Sequence, residues 1–169
     1  MEIWPHILRL LEKSGESAYP SECCGFVLGR RETSGTVRGL SVVAVDNAQA
    51  PDKRRCRFLM EAEDFLRAEQ AAAAQGLELT AVFHSHPDHP AEPSEEDLAH
   101  ALPFYHYLIT AVAQGQAQET TCWRLASDRS GFVREPLTIV DKAPGNGEKS
   151  PAARPPRSAP AGHGKPEAS

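Results

Sequence analysis

The chain predicts an α/β fold, a sandwich built on a mixed β-sheet. Three observations carry this. Segments with helical apolar spacing alternate with short apolar, often β-branched runs, in the order α-β-β-β-α-β-α-β-β-β. Long helical segments lie between the strands, as a layered α/β arrangement requires. The 169 residues, 40% hydrophobic and 24% charged, suit one globular domain with some chain to spare.

Ile3, Ile7, Leu8, Leu10 and Leu11 recur at helical spacing, so a first helix is expected over Ile3 to Ser14, stopped by Gly15. Cys24 to Gly29 reads as a buried strand. Val37 to Val45 is a second, ended by Asp46 and Asn47. Arg57-Phe58-Leu59 is a short strand candidate. Glu61 to Gln75, with its alanine run, is a helix closed by Gly76. Leu79 to His84 is the next strand, and the prolines of Asp88 to Pro93 exclude both helix and central strand there. Ser94 opens a helix to about Leu102. Tyr107 to Val112, Thr121 to Ala126 and Phe132 to Val140 are three further strands.

From about Ala143 the composition shifts. Six of the fourteen prolines fall there, among glycine, alanine and serine, with almost no large apolar residue. The expectation is a domain over 1–142 and a disordered Pro-rich tail over 143–169, because such a segment cannot bury a core. The chain's net charge is -5; Lys149, Arg154, Arg157 and Lys165 against Glu148 and Glu167 give the tail +2, leaving -7 for the body. An acidic body argues against nucleic acid as partner and suits a basic protein or peptide. No run of eighteen apolar residues exists, so no membrane partner is expected. The N-terminus lacks the features of a signal peptide, which makes a cytoplasmic location the default. Cys23, Cys24, Cys56 and Cys122 form no CxxC pair and read as buried thiols of a reducing compartment.

The chemistry concentrates in His84-Ser85-His86-Pro87 and Ser94-Glu95-Glu96-Asp97. Residues i and i+2 of a strand share a face, so His84 and His86 converge at the end of their strand, where Pro87 turns the chain. Asp97, one turn into the following helix, is the best third ligand. Two imidazoles, one carboxylate and an open fourth position describe a hydrolytic zinc site. A simpler account exists for part of this: Ser94 as N-cap with a carboxylate at N3 explains Ser94 and Asp97 as a helix start. It leaves the two histidines unexplained. His89 reads as a solvated loop residue, and His100 and His106 as surface or internally satisfied histidines. Spacing does not choose a general base among Glu22, Glu92, Glu95 and Glu96.

The segment HSHP, six residues, then SEED resembles the JAMM (MPN+) metalloprotease signature, HxHP-x6-SxxD. Glu22-Cys23-Cys24-Gly25-Phe26-Val27-Leu28-Gly29 resembles the family's remaining element, a glutamate just before an early apolar strand. The resemblance covers roughly residues 1–140. It implies an MPN fold, a curved mixed sheet flanked by helices in a cytidine-deaminase-like sandwich. By position, it implies that His84, His86 and Asp97 bind one Zn2+ per chain. Glu22 would hold the water and act as general base, and Ser94 would stabilise the oxyanion. Family activity implies hydrolysis of the amide bond after the C-terminal Gly-Gly of a ubiquitin-like or sulfur-carrier protein. The compact length and the Glu-Cys-Cys-Gly strand start resemble the short Mec-type members, which release cysteine from a carrier.

Two other outcomes stay open at this point: a non-catalytic MPN scaffold, and an isopeptidase acting on ubiquitin-like conjugates. Homodimerisation is also open. A zinc deaminase is set aside, because it needs a PCxxC that is absent.

Overall fold

The computed structural model describes residues 1–141. The elements are β1 (Glu2–Ile3), α1 (Pro5–Ala18), β2 (Cys24–Arg31), β3 (Val37–Val45), α2 (Ala62–Ala73), β4 (Glu78–Pro87), α3 (Glu95–His100), β5 (His106–Ala113), β6 (Gln116–Leu125), β7 (Phe132–Glu135) and β8 (Thr138–Ile139). They form one eight-stranded sheet, ordered β7-β6-β5-β4-β2-β3-β1-β8. β4 pairs parallel with β5, and β1 with β3 and β8; the other pairings are antiparallel. The sheet is mixed, as expected.

The two edge strands are neighbours in sequence. β7 closes one edge on β6 and β8 closes the other on β1, with only Pro136 and Leu137 between them. Three Cα steps of 3.8 Å span at most about 11 Å. The sheet must therefore curl until its edges meet at this link. The amino group of Met1 donates to the Pro136 carbonyl (2.7 Å), and Thr138 N–H donates to Met1 O (2.9 Å), which fixes the seam.

The alternation of strand side chains separates two cores. On one face Ile7 and Leu11 of α1 pack with Ile3, Val27, Ala81, Phe83, Leu108 and Cys122. On the other, Ala68 and Ala72 of α2 pack with Phe26, Leu28, Val82, Tyr107 and Leu125. Val82, His84 and His86 share the α2 face of β4, so the histidines continue the row of a packed core.

Several boundaries differ from expectation, each for a physical reason. Glu2 and Ile3 join the sheet, and α1 starts at Pro5, whose missing N–H has no cost at a first helical position. Gly15 does not stop α1. It is buried inside the helix, where an added Cβ would stand 2.8 Å from Val112 Cγ2 and 3.2 Å from Ser85 Cβ. Arg57-Phe58-Leu59 is not a strand; the segment runs outside the sheet, and Phe58 stacks on His84 with ring centroids 4.6 Å apart. The expected strand Phe132 to Val140 divides into β7 and β8 on opposite edges, because Pro136 breaks it.

β4 extends through Pro87, so Pro87 does not end the ladder. It keeps its place beside Val112, and the turn comes at Asp88, with φ 57°. β2 reaches no further than Cys24 opposite His84, so the missing N–H of Pro87 faces no strand partner. The expected tail over 143–169 lies outside the described residues. No helix among the described residues is long and apolar enough to cross a membrane.

Candidate metal centre

β4 supplies two of the three converging ligands. His84 Nε2 and His86 Nε2 stand 3.0 Å apart, and the Asp97 carboxylate lies 3.2 Å from the first and 3.7 Å from the second. Both histidine side chains are buried. These are the residues the HxHP-x6-SxxD spacing singled out, and the fold brings them together.

Each ligand is held from behind. His86 Nδ1 lies 2.8 Å from the Pro90 carbonyl, which takes the Nδ1 proton and leaves Nε2 with a lone pair. His84 is fully buried under the Phe58 ring, and its Nδ1 has no hydrogen-bond partner. Asp97 is at N3 of α3 in a reciprocal capping box. The backbone N–H and the hydroxyl of Ser94 both donate to its Oδ2 at 2.7 Å, and Asp97 N–H donates to Ser94 Oγ at 3.1 Å. The helix-start role of these two residues is real, and it aims the carboxylate at the histidines.

The donor set fits zinc. At most one proton can lie between two imidazole nitrogens 3.0 Å apart, so lone pairs and a carboxylate converge on one point. Ligands about 2.0–2.1 Å from a tetrahedral centre stand about 3.3 Å from one another. The three observed separations, 3.0, 3.2 and 3.7 Å, bracket that value.

Burial lowers the pKa of His84, which favours the neutral imidazole a metal requires. Burial would also depress His86, but its bonds to Asp97 and Pro90 outweigh it and the pKa rises. Burial alone would raise the pKa of Asp97; the His84 imidazole and the bonds from both histidines and Ser94 hold it far below the usual carboxylate range.

Glu22 lies two residues before β2, the strand beside β4. Cys24 is opposite His84, and Ser85 N–H donates to Cys23 O (3.2 Å), which carries the register on to set Glu22 alongside His86. Cross-strand partners share a face. Glu22 is buried, with 5% of its surface exposed, and lines one pocket with Ser94 and Asp97. Burial pushes its pKa up to about 8, with Asp97 adding to the rise and His86 opposing it. A carboxyl that titrates near neutrality is suited to proton transfer. Of the four glutamates left open by spacing, Glu22 is the buried one facing the cluster; Glu92 and Glu95 are exposed and Glu96 pairs with Arg57.

Other site-shaping residues had weak signals in the sequence. Ser85, between the histidines, accepts from Cys23 N–H (2.9 Å) and locks β2 to β4 beside Glu22. Asn47 donates to the carbonyls of Glu22 (3.1 Å) and Arg57 (3.0 Å) and accepts from Gln49 and Leu59 N–H, so it organises the 47–59 segment. An asparagine just after a strand was its one signal. Phe58 and Pro90 could not be assigned without the tertiary contacts. Burial raises the thiols of Cys23 and Cys24 to about 11 and about 12, so neither is a ready nucleophile. His89 is exposed. His106 is not on the surface: it is buried and bonds Glu135 at 3.1 Å.

A family model described as prokaryotic homologs of the JAB domain matches residues 5–126. Among solved structures, a protein from Salinibacter ruber is 39% identical, with a TM-score of 0.67 over 83% of this chain and 92% of that one. A protein from Desulfitobacterium hafniense is 23% identical (TM-score 0.71, covering 85% and 94%). A JAB1/MPN domain protein from Archaeoglobus fulgidus is 20% identical (TM-score 0.54, covering 83% and 100%). The last two likenesses concern the fold. No curated protein matches the chain.

Proposed function

This chain belongs to the prokaryotic homologs of the JAB domain, and we propose that it is a zinc-dependent metallopeptidase. In this reading it hydrolyses the amide bond that follows the C-terminal Gly-Gly of a ubiquitin-like or sulfur-carrier protein. One observation carries the proposal: two imidazoles and a carboxylate stand at zinc-ligand spacing, and that carboxylate, Asp97, lines one pocket with a buried carboxyl of raised pKa, Glu22.

A zinc ion bound by His84, His86 and Asp97 supplies Lewis acidity, which makes water acidic enough to attack near neutral pH. Glu22 takes the proton of the attacking water. The water oxygen bonds to the scissile carbonyl carbon and the C–N bond breaks. Glu22 then returns the proton to the leaving nitrogen, giving a carboxylate and an amine. Ser94 lines the same pocket; in this reading its hydroxyl, which donates to Asp97 at 2.7 Å, turns from Asp97 to donate to the developing oxyanion.

The short Mec-type branch, with cysteine as leaving group, is part of this proposal. Its supports are the Glu22-Cys23-Cys24-Gly25 strand start and the plain seven-residue link from β4 to α3, residues 88–94. A cytoplasmic setting is also part of it. The test is incubation with a carrier ending in Gly-Gly-Cys and mass spectrometry of the products. Cysteine release that stops on chelation and in Glu22→Ala is expected. Release that survives both sinks the mechanism, and no release by zinc-loaded protein sinks the substrate.

A further inference from the structure

The pocket beside the metal cluster is larger and more apolar than a Gly-Gly tail can use. Its volume is about 270 Å3, and its walls include Phe58, Leu59, Met60, Phe65, Val82 and Leu102. Leu59 and Leu102 are 44% and 42% exposed, so the apolar wall opens to solvent. Glycines offer no side chain to fill it. A residue on the other side of the scissile bond would supply one.

A cation marks the same pocket. Lys53-Arg54-Arg55-Cys56-Arg57 is a basic run on an otherwise acidic body, and Arg57 lines the pocket with Glu22, Ser94 and Asp97. The neighbouring arginines are committed elsewhere: Arg55 pairs with Asp88 at 3.0 Å, and Arg54 Nε donates to the Gln49 carbonyl at 2.7 Å. Arg57 has only a loose 3.6 Å contact with Glu96, with both side chains nearly half exposed. Such a pair is weak and readily exchanged. The run is also fixed directly to the Glu22 backbone, whose N–H donates to Arg54 O at 2.6 Å.

We infer that this pocket receives a single C-terminal leaving residue, its apolar side chain against Phe58, Met60 and Leu102 and its free α-carboxylate on the Arg57 guanidinium. The inference rests on the peptidase reading and narrows it. The leaving group is the chain's terminal residue, a carboxylic acid, rather than the lysine side chain of a conjugated protein. A guanidinium binds a carboxylate by two parallel N–H donors, and the acid, unlike its amide, supplies both charge and geometry.

Two measurements test this on the full chain. In the first, metal-free protein is titrated with free leucine and with leucinamide and followed by NMR. Leucine is expected to bind about tenfold more tightly, the scale of one partly exposed charge-assisted contact. Arg57→Gln should erase the difference, and Arg57→Lys should keep part of it. Equal binding of acid and amide, or a difference that persists in Arg57→Gln, overturns the inference. In the second, zinc-loaded protein is given peptides ending in Gly-Gly-Leu as acid and as amide. A KM about tenfold lower for the acid at similar kcat is expected, again lost in Arg57→Gln. Equal KM values overturn the inference. If neither peptide is cleaved while the leucine preference holds, the peptidase reading falls and the carboxylate pocket stands.

Discussion

Replacing Gly15 by alanine tests how tightly helix α1 is seated behind the candidate metal ligands His84 and His86. In a solvent-exposed helix interior the change stabilises by about 1 kcal/mol, because alanine has the better helix propensity. Here the added Cβ would meet Val112 Cγ2 at 2.8 Å and Ser85 Cβ at 3.2 Å. The first distance is below any ordinary contact, and both neighbours belong to adjacent strands of a packed sheet. Overpacking of this kind costs about 1–3 kcal/mol. Set against the propensity gain, the net expectation is a loss of about 1 kcal/mol, a fall in Tm of about 3 °C for a domain of this size. Ser85 lies between His84 and His86, so the displacement should also weaken zinc binding. Calorimetry of the metal-free protein and a competitive zinc titration measure both effects. A variant that melts higher than the parent and binds zinc equally well would refute the close-packing argument.

Two further outcomes follow from the site. In the metal-free protein, between pH 4.5 and about 8 the folded chain keeps a proton on Glu22 that the unfolded chain has lost, so stability from this group falls as pH rises through that window; a bound cation would favour the carboxylate. The gap corresponds to about 5 kcal/mol at 1.36 kcal/mol per pH unit, and about 3 kcal/mol after allowing for partial solvation. In chelated protein, Glu22→Gln should equal the parent near pH 4.5 and exceed it above pH 8; urea unfolding at both pH values checks this, and a pH-independent difference contradicts it. Zinc at a hundred times its Kd should stabilise the parent by about 2.7 kcal/mol. Asp97→Ala should lose that increment, and an increment that survives the substitution would place the metal elsewhere.

The site was legible in the sequence because its parts are local. His84 and His86 share a face by strand alternation, and Ser94 and Asp97 are joined by a helix-start pattern. Glu22 was not legible from spacing, since 62 residues separate it from His84 and only the pairing of β2 with β4 joins them. The same limit hid Phe58, whose apolar neighbours resemble a strand until His84 is seen beneath it. Gly15 misled for a related reason. A glycine after an apolar helical run is usually a stop signal, but here a neighbouring strand demands the missing Cβ. Pro136 marked the break between β7 and β8 locally, but their placement on opposite edges depended on the sheet's curl, which no local pattern encodes.

The seam where β8 lies parallel to β1 has a mechanical meaning. Thr138 N–H and Val140 N–H donate to the carbonyls of Met1 and Ile3, so the domain's first and last strands are clasped side by side, pointing the same way. A pull that separates residue 1 from residue 140 loads these bonds together in shear rather than opening them one at a time. Forced unfolding is governed by the barrier to that first rupture. A force applied through the C-terminal side therefore meets the clasp before it reaches β4 and its histidines.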